Sequence, residues 1–299
     1  MATKCTIGVI AAGAMGSAVG RRLVQGGCTV WTNLEGRSEA TRKRAAECGM
    51  EDKSLSEIAN QASYVLSILP PSNAFSFAEK FLRESKRVER NANAEPLVFV
   101  DCNAVSPATV KRISALFDGG SPLIRFIDCG IIGSPPQGAY NPTFYASADD
   151  ENVLEKYGGL SKFGLKISLL KDGAGVGDAS ALKMSYAGIT KGTTALFTTM
   201  ILAAHNSSPA TAEALMHELG YSQPDVLARI TRTVPPMLPK AYRWVGEMEE
   251  IGNFVGEGQG AIYEGIAKLY ERIEDSLNGD GEDIRVLKKF VEEAKKEKK

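Results

Sequence analysis

The chain has 299 residues, of which 43% are apolar and 24% are charged, and its formal net charge at pH 7 is −1. These values are typical of a globular protein with two domains, and they exclude a general electrostatic attraction to nucleic acid or to anionic membranes. We therefore expect neither nucleic acid nor a membrane as a partner.

The cysteines and the apolar stretches indicate the cellular setting. The five cysteines are scattered and include no Cys-x-x-Cys pair, so the sequence predicts neither a disulfide framework nor a zinc site. The N-terminus reads as part of the first βα unit rather than as a signal peptide, and Lys191 interrupts the most apolar stretch, residues 189–204. We expect a reducing, cytoplasmic location.

In the first half of the chain, short β-branched runs alternate with helical patterns. The predicted strands are residues 6–10, 29–32, 64–69, 97–101 and 124–128, with 143–147 and 166–170 extending the sheet. The predicted helices between them are residues 16–25, 39–48, 74–81 and 107–116. Apolar runs without strict alternation are typical of a parallel sheet covered on both faces, so this order predicts a doubly wound α/β domain of the Rossmann type.

A glycine-rich segment, residues 171–177, ends the strand pattern, and we place a domain boundary there, between 1–176 and 177–299. The second domain is predicted to be all-α. With Asp178 as its N-cap, its first helix runs to about residue 204 and is apolar on most sides. Such a helix must be buried all round, which predicts packing between domains or between the subunits of a homodimer. The other predicted helices are residues 209–219, 225–233, 238–254, 259–276 and 282–296.

The turn after the first predicted strand has the pattern of a dinucleotide-binding loop. Gly13 lets the backbone approach a pyrophosphate, whose charge is stabilised by the helix N-terminus at Ala14 and Met15. Gly16 allows close packing of helix on strand. Ala11 stands where the usual motif has its first glycine, which a tight turn accepts if φ stays negative. The position in the first βα unit favours a cofactor site over an ordinary turn.

The end of the second predicted strand indicates which dinucleotide is bound. NAD-binding domains usually carry an acidic residue there for the ribose 2′-hydroxyl, whereas this chain has Asn33. Arg37, Ser38 and Arg42 follow, and such side chains hold a 2′-phosphate that a carboxylate would repel. Glu35 competes for the ribose, and the arginines are alternatively a solvated helix start. We expect NADP(H) as the cofactor.

Four motifs in chain order resemble those of the β-hydroxyacid dehydrogenase superfamily, which includes 6-phosphogluconate and 3-hydroxyisobutyrate dehydrogenases and the imine reductases. They are Gly13-Ala14-Met15-Gly16, Leu69-Pro70-Pro71-Ser72-Asn73, Asp101-Cys102-Asn103-Ala104-Val105-Ser106-Pro107 and Asp128-Cys129-Gly130-Ile131-Ile132-Gly133-Ser134. The resemblance implies that Leu69, Pro70 and Asn103 line the cofactor. It also implies a substrate loop made of Gly130, Ile131, Ile132 and Gly133.

A fifth motif carries the chemistry that the resemblance implies. Residues 177–186 are similar to the family's catalytic helix, in which a glycine precedes Lys-x-x-Asn. Lys183 would then hydrogen-bond the substrate hydroxyl and serve as general acid/base while hydride moves to or from the nicotinamide. Without the other motifs, a lysine that reaches solvent from an amphipathic helix would be the simpler explanation.

Two departures from the family pattern bear on the substrate. Tyr186 stands in place of the asparagine three residues after the lysine, and it shares a helix face with Lys183. Ile131 and Ile132 occupy a loop that is rich in serine in the family, which leaves fewer side-chain donors for a substrate carboxylate. Both changes favour a small-molecule substrate that is less anionic, or bulkier, than a short hydroxyacid.

The second domain resembles a 6-phosphogluconate-dehydrogenase-like branch of the superfamily through residues 243–251. Trp244 and Glu247 are three residues apart on one helix face, so both are candidates to reach the substrate, from their own or a partner subunit. Packing of Trp244 and solvent exposure of Glu247 explain the pattern equally well. His205 and His217 are expected to be structural or exposed rather than catalytic.

Three functions remain open on the sequence. The first is an NADPH-dependent oxidoreductase of the β-hydroxyacid dehydrogenase type with Lys183 as acid/base, a lysine that imine reductases usually lack. The second is an imine reductase or reductive aminase, which Tyr186 and the apolar substrate loop favour. The third is a non-catalytic NADP(H)-binding sensor, against which Lys183 and the glycine loop both argue.

Overall fold

The computed structural model describes residues 5–90, 95–119 and 124–297. The chain divides into two compact units, Met1–Met184 and Ser185–Lys299. The boundary expected from the sequence, after residue 176, lies earlier. The division falls after Met184 because the first two turns of the long helix contact a strand of the first unit, through Ala179 and Lys183.

The first unit contains one eight-stranded sheet. Its strands are β1 (Thr6–Ile10), β2 (Thr29–Thr32), β3 (Glu51–Asp52), β4 (Tyr64–Ser67), β5 (Leu97–Asp101), β6 (Ile124–Ile132), β7 (Thr143–Ser147) and β8 (Lys166–Leu169). Their spatial order is β3-β2-β1-β4-β5-β6-β7-β8, and all neighbours are parallel except β6 and β7. Because the order reverses at β1, the predicted doubly wound Rossmann sheet is confirmed.

The sheet is buried on both faces because its strands alternate between two apolar cores. On β5, Val98 and Val100 belong to one core, whereas Leu97 and Phe99 belong to the other. The helices of this unit are α1 (Ala14–Gln25), α2 (Glu39–Glu47), α3 (Leu55–Gln61), α4 (Pro71–Ser85), α5 (Pro107–Ala115) and α6 (Glu151–Gly158). Helices α1, α2 and α6 complete the first core, and α3, α4 and α5 complete the second.

Among the described residues of the first unit, the elements missing from the sequence-based prediction are β3, α3, α6 and a 3-10 helix, Gly159–Phe163. β3 is only two residues long, too short to show a period. Helix α3 begins with a capping box, in which the Glu57 backbone N–H donates to Ser54 and the Ser54 N–H donates to the Glu57 carboxylate. Asp150 caps α6 by accepting from the first-turn backbone. These caps are the sequence signals that identify both helices.

Strand β6 is longer than predicted, and its length corrects the interpretation of the substrate loop. The strand continues to Ile132 because it pairs there with the antiparallel strand β7, with Gly130 opposite Tyr145. Residues 130–132 therefore lie in a strand. The connecting loop begins only at Gly133, whose φ of +132° lies in a region that favours glycine.

The second unit is helical, as predicted. Its helices are α7 (Asp178–Ser207), whose first turns belong to the first unit, α8 (Pro209–Ser222), α9 (Pro224–Met237), α10 (Ala241–Val255), α11 (Gly260–Asn278) and α12 (Glu282–Glu297). Prolines begin α8 and α9, where the missing N–H costs no intrahelical hydrogen bond. Within the described part of the chain, no helix is long and apolar enough to cross a membrane.

Candidate active site

The loop between β1 and α1 is shaped to take an anionic group. Gly13 precedes α1 with a φ of −71°, and a Cβ added there would meet no protein atom within 4 Å. A Cβ at Gly16 would collide with the carbonyl oxygen of Ala11, so only glycine allows this close approach of helix to strand. Helix α1 has no acidic residue in its first turn, so its positive N-terminal dipole is not offset there. The space above Gly13 therefore fits a pyrophosphate.

Two further side chains shape this loop. Ala14 is exposed at the start of α1, whereas Met15 is half-buried and packs against the first core. Arg44 of α2 donates a hydrogen bond of 3.1 Å to the carbonyl oxygen of Ala12, which brings a guanidinium to the edge of the glycine loop. Arg44 is not predictable as part of this loop from the sequence, because it lies 32 residues from Ala12 and only the fold brings the two together.

The residues predicted to bind a 2′-phosphate lie at the carboxyl end of β2. The Asn33 amide donates to the carbonyl oxygen of Lys53 at 2.9 Å. The exposed Arg37 follows Gly36, and Ser38 is the N-cap residue of α2, with its hydroxyl 3.1 Å from that of Thr41. Asn33, but neither Arg37 nor Ser38, lines a cavity of about 540 Å³ beside this strand end.

Charged neighbours constrain two other residues of this region. The Glu35 carboxylate forms an ion pair of 3.3 Å with Lys80 of α4, which partly neutralises its charge. Arg42 donates 2.5 Å to the carbonyl oxygen of Leu34 and pairs with Asp52 at 3.4 Å. Arg42 is therefore partly neutralised, and the exposed Arg37 is the more available cation.

Asn103 lies beneath the loop that follows β4 rather than at its surface. It is only 2% exposed. Its side-chain oxygen accepts from the backbone N–H of Leu69 at 2.6 Å, while its NH₂ group donates to Ser67 and Asp101. Asn103 thereby fixes the position of Leu69 and of Pro70, which begins the next turn. The structure thus shows Asn103 supporting this loop, and the cofactor contact that the resemblance implies stays a prediction.

Two buried carboxyl groups stand at paired positions on neighbouring strands, Asp101 on β5 and Asp128 on β6. Burial raises the pKa of Asp101 to about 7, against the opposing effect of two hydrogen bonds from Asn103. Burial also raises the pKa of Asp128 above its ordinary value, although hydrogen bonds from Ser180 and Gly177 oppose the shift.

The start of α7 is capped by a residue from another element. Asp178 is the first residue of the helix rather than its cap, and its carboxylate accepts from the Gly175 N–H at 2.8 Å. Asp128 instead accepts from the backbone N–H of Gly177 at 3.0 Å and of Ser180 at 2.9 Å. In the sequence Asp128 stands out only as part of a motif, because its contact with Ser180 spans 52 residues.

Lys183 lies above the end of β6. Its ammonium donates a hydrogen bond of 2.6 Å to the carbonyl oxygen of Ile131. A Cβ at Gly130 would lie 2.8 Å from the Ala179 oxygen and 3.0 Å from the Lys183 Cβ, so a glycine is needed for α7 to lie this close to β6. Gly130 and Ile131 therefore position the lysine.

The remaining residues that were predicted to contact substrate differ in how far they are exposed. Ile132 is half-buried, and the exposed Gly133 lies against the hydroxyl of Tyr140, which accepts from the Ser134 N–H at 3.1 Å. Tyr186 follows Lys183 by one turn of α7 and is half exposed.

Trp244 and Glu247 belong to a cluster inside the second unit. Glu247 is 8% exposed and forms an ion pair with Lys191 of α7, whose ammonium also lies 5.0 Å from the centre of the Trp244 ring. The Tyr270 hydroxyl donates 2.7 Å to the Lys191 carbonyl oxygen, and its ring meets Trp244 edge-on. Glu247 is thus neither exposed nor oriented to solvent, and both residues contact Lys191.

Residues 6–169 match the family model described as the NAD binding domain of 6-phosphogluconate dehydrogenase. The chain belongs to this family. Membership confirms the resemblance to the β-hydroxyacid dehydrogenase superfamily and makes the chain a nicotinamide-dinucleotide-binding protein of the oxidoreductase class. Residues 207–273 match a second model, a domain of unknown function (DUF1932). No curated protein is a significant match to the sequence.

Solved structures share this family's fold over nearly the whole chain. A conserved protein of unknown function, with structural similarity to 3-hydroxyacid dehydrogenases, is 27% identical with a TM-score of 0.65, over 90% of this chain and 97% of its own. The 3-hydroxyisobutyrate dehydrogenase of Mycobacterium tuberculosis, with L-serine, is 17% identical with a TM-score of 0.60, over 90% and 94%. The imine reductase of Myxococcus stipitatus, with NADP⁺, is 19% identical with a TM-score of 0.53, over 96% and 99%.

Proposed function

We propose that the protein is an NADPH-dependent oxidoreductase of the β-hydroxyacid dehydrogenase type, which interconverts a hydroxy and a carbonyl group on a small molecule with Lys183 as general acid/base. The observation that carries this proposal is the hydrogen bond of 2.6 Å from Lys183 to the Ile131 carbonyl oxygen. It holds the lysine at the end of β6, in the same unit as the glycine loop. A lysine that merely reached solvent would not need this acceptor.

The cofactor is assigned as NADP(H) from the charges around β2. Ala11, Gly13, Ala14 and Met15 would hold the pyrophosphate of a bound dinucleotide, and Leu69 and Pro70 would contact its nicotinamide ribose. Glu35, the residue that competes for the ribose, is engaged by Lys80. Asn33, Arg37 and Ser38 then offer the 2′-phosphate a neutral donor, a guanidinium and a hydroxyl.

The chemistry assigned to this chain is proton transfer. A bound nicotinamide supplies or accepts the hydride at the substrate carbon. In reduction, the Lys183 ammonium donates a proton to the oxygen on which negative charge develops, and in oxidation the lysine amine takes the proton back. Ile131 keeps the nitrogen in place. Tyr186, one turn later, is the second polar group that we assign to substrate contact.

Imine reduction is the second candidate, and Tyr186 is the observation that favours it. A half-exposed tyrosine replaces the family's asparagine, and Ile131 and Ile132 offer a substrate carboxylate no side-chain donor. An imine substrate or a carbonyl compound with an amine partner suits such a surface better than a short anionic acid. The two activities separate in one assay, since NADPH oxidation is followed with a panel of carbonyl compounds and with a panel of cyclic imines. Tight NADPH binding without turnover on either panel would instead indicate a sensor.

We also propose that the protein acts as a homodimer through helix α7. Tyr186, Ile189, Leu196 and Met200 are 49%, 65%, 58% and 59% exposed, and their spacing places them along one face of the helix. Exposed apolar area costs about 25 cal/mol per Å² relative to burial, so a continuous stripe of this kind favours a partner. A second copy of the chain is the occupant that the predicted dimer requires. The cytoplasm, where NADPH is supplied, is the proposed location.

A further inference from the structure

Helix α7 is fastened to β6 by one buried carboxylate. Asp128 accepts from the backbone N–H of Gly177 at 3.0 Å and of Ser180 at 2.9 Å, and from the Ser180 hydroxyl at 2.7 Å. Gly177 has no side chain with which to cap the helix, and its φ of +113° favours glycine. Asp128 therefore takes the part that an N-cap side chain usually plays.

A residue of the neighbouring strand, β7, makes a second contact that holds the start of α7. Ser147 of β7 donates to Asp128 at 3.5 Å and accepts from the Ala179 N–H at 3.0 Å. Asp128, Ser147 and Ser180 are all buried, so their hydrogen bonds are not exchanged for bonds to bulk water. With four donors on one carboxylate, the first turn of α7 is held in both its rotation and its height on the sheet.

The same strand holds Lys183 three residues further along. Asp128 holds the first turn, the missing Cβ of Gly130 allows the close approach at Ala179, and the Ile131 carbonyl receives the lysine ammonium. Because backbone hydrogen bonds join successive turns of a helix, a rotation of the first turn would also rotate the next turn and move the Lys183 side chain away from Ile131.

We propose that Asp128 is a positioning residue for Lys183, a role that rests on the proposed function of that lysine. Asp128 touches neither substrate nor cofactor in this account. It sets the rotation of α7 so that the ammonium reaches the reacting oxygen. A displacement of about 1 Å in a reacting group lowers a rate by about a hundredfold. Loss of the Asp128 contacts therefore lowers kcat without weakening the binding of NADPH.

The test compares Asp128→Asn and Ser180→Ala with Ser85→Ala. Ser85 is a matched control, since it is also a fully buried serine with a hydrogen bond of 2.8 Å, in this case to Leu82 within α4. Four quantities are measured: kcat on the best carbonyl or imine substrate, the Kd of NADPH by fluorescence, the pH profile of kcat/KM, and amide hydrogen exchange in residues 177–184.

For Ser180→Ala we expect kcat to fall at least about tenfold, with the Kd of NADPH within about twofold of wild type. The basic limb of the pH profile of kcat/KM shifts, and amide hydrogen exchange in residues 177–184 becomes faster. Asp128→Asn shows the same changes more strongly. If this variant fails to fold, Ser180→Ala alone tests the positioning role of Asp128. Ser85→Ala loses stability but keeps kcat and the pH profile.

Two results would overturn the role of Asp128. One is an active wild type with kcat and pH profile unchanged in Ser180→Ala. The other is a loss in Ser180→Ala no larger than in Ser85→Ala, which would indicate general destabilisation. Failure of the proposed function has a different signature, because Lys183→Ala would then keep wild-type turnover, or the wild type would reduce no substrate of either panel. That outcome removes the positioning role together with the function.

Discussion

Asp101 and Asp128 pair in register on β5 and β6, and each carboxyl group serves a different loop of the site. Asp101 accepts from Asn103, which in turn holds Leu69 after β4. Asp128 holds the start of α7. Two buried acids thus fix the loops on which the proposed cofactor and the proposed catalytic lysine depend.

Burial of Asp101 makes the stability of the first unit depend on pH. Its pKa rises from 3.8 to about 7, so the folded state holds its proton more tightly than the unfolded chain. The stability it contributes is full below pH 4 and is lost as the pH rises from about 4 to about 7, by at most about 4 kcal/mol at 1.36 kcal/mol per pKa unit. The free energy of unfolding, measured with urea at pH values from about 4 to about 7, should fall by this amount in wild type. In Asp101→Asn it should depend less on pH. The exposed Asp118→Asn is the control, and equal slopes in all three would contradict the prediction.

Arg37 should determine the preference for NADPH. Arg37→Ala removes an exposed guanidinium beside the proposed 2′-phosphate, so we expect kcat/KM for NADPH to fall at least about tenfold while that for NADH changes less than about threefold. Asn33→Asp should lower the NADPH value further, since a carboxylate repels the phosphate. Arg125→Ala, whose partner is Asp150 at 3.9 Å, is the control. A wild type that prefers NADH would refute the assignment.

The apolar face of α7 should control oligomeric state. Leu196→Lys places a charge in the middle of the exposed stripe, and we expect it to convert the dimer to a monomer in multi-angle light scattering at micromolar concentration. Ile262→Lys, on the exposed part of α11 at 58% exposure, should leave the dimer intact. A wild-type monomer under these conditions would contradict the proposed homodimer.

The ion pair of Glu247 and Lys191 should support the second unit rather than bind substrate. Glu247→Ala leaves the mostly buried Lys191 ammonium without its carboxylate, and removing one partner of a buried ion pair costs about 3–5 kcal/mol. The free energy of unfolding should fall by that order, while the KM for substrate stays within about twofold of wild type. Glu249→Ala, on an exposed position of the same helix, is the control. A large change in the KM of Glu247→Ala, with an unchanged free energy of unfolding, would instead indicate that Glu247 binds substrate.

The sequence predicts the architecture well where one local rule decides it. The unbroken apolar run of Leu97, Val98, Phe99 and Val100 on β5 predicts a strand buried on both faces, and the structure confirms it. Local signals also existed for α3, since the Ser54 and Glu57 capping box is readable from the sequence. The two-residue β3 has no such signal.

The site is less predictable, because its decisive contacts join distant segments. The family resemblance assigned Gly130 and Ile131 to a loop, whereas their pairing with β7 places them in a strand. The bond from Ser180 to Asp128 spans 52 residues, and that from Arg44 to Ala12 spans 32. The residue types at these positions are compatible with several hydrogen-bond partners, and only the fold determines which of them meet.

The central claim is that Lys183 transfers the proton, and one comparison tests it most directly. The kcat of NADPH-dependent reduction is measured for wild type, Lys183→Ala and the exposed control Lys166→Ala on the substrate that the wild type reduces fastest. The account predicts that Lys183→Ala loses about 10²–10⁴-fold in kcat, the usual contribution of general acid/base catalysis, with the Kd of NADPH unchanged. Lys166→Ala should match wild type. A Lys183→Ala variant with full carbonyl-reductase activity would contradict the account.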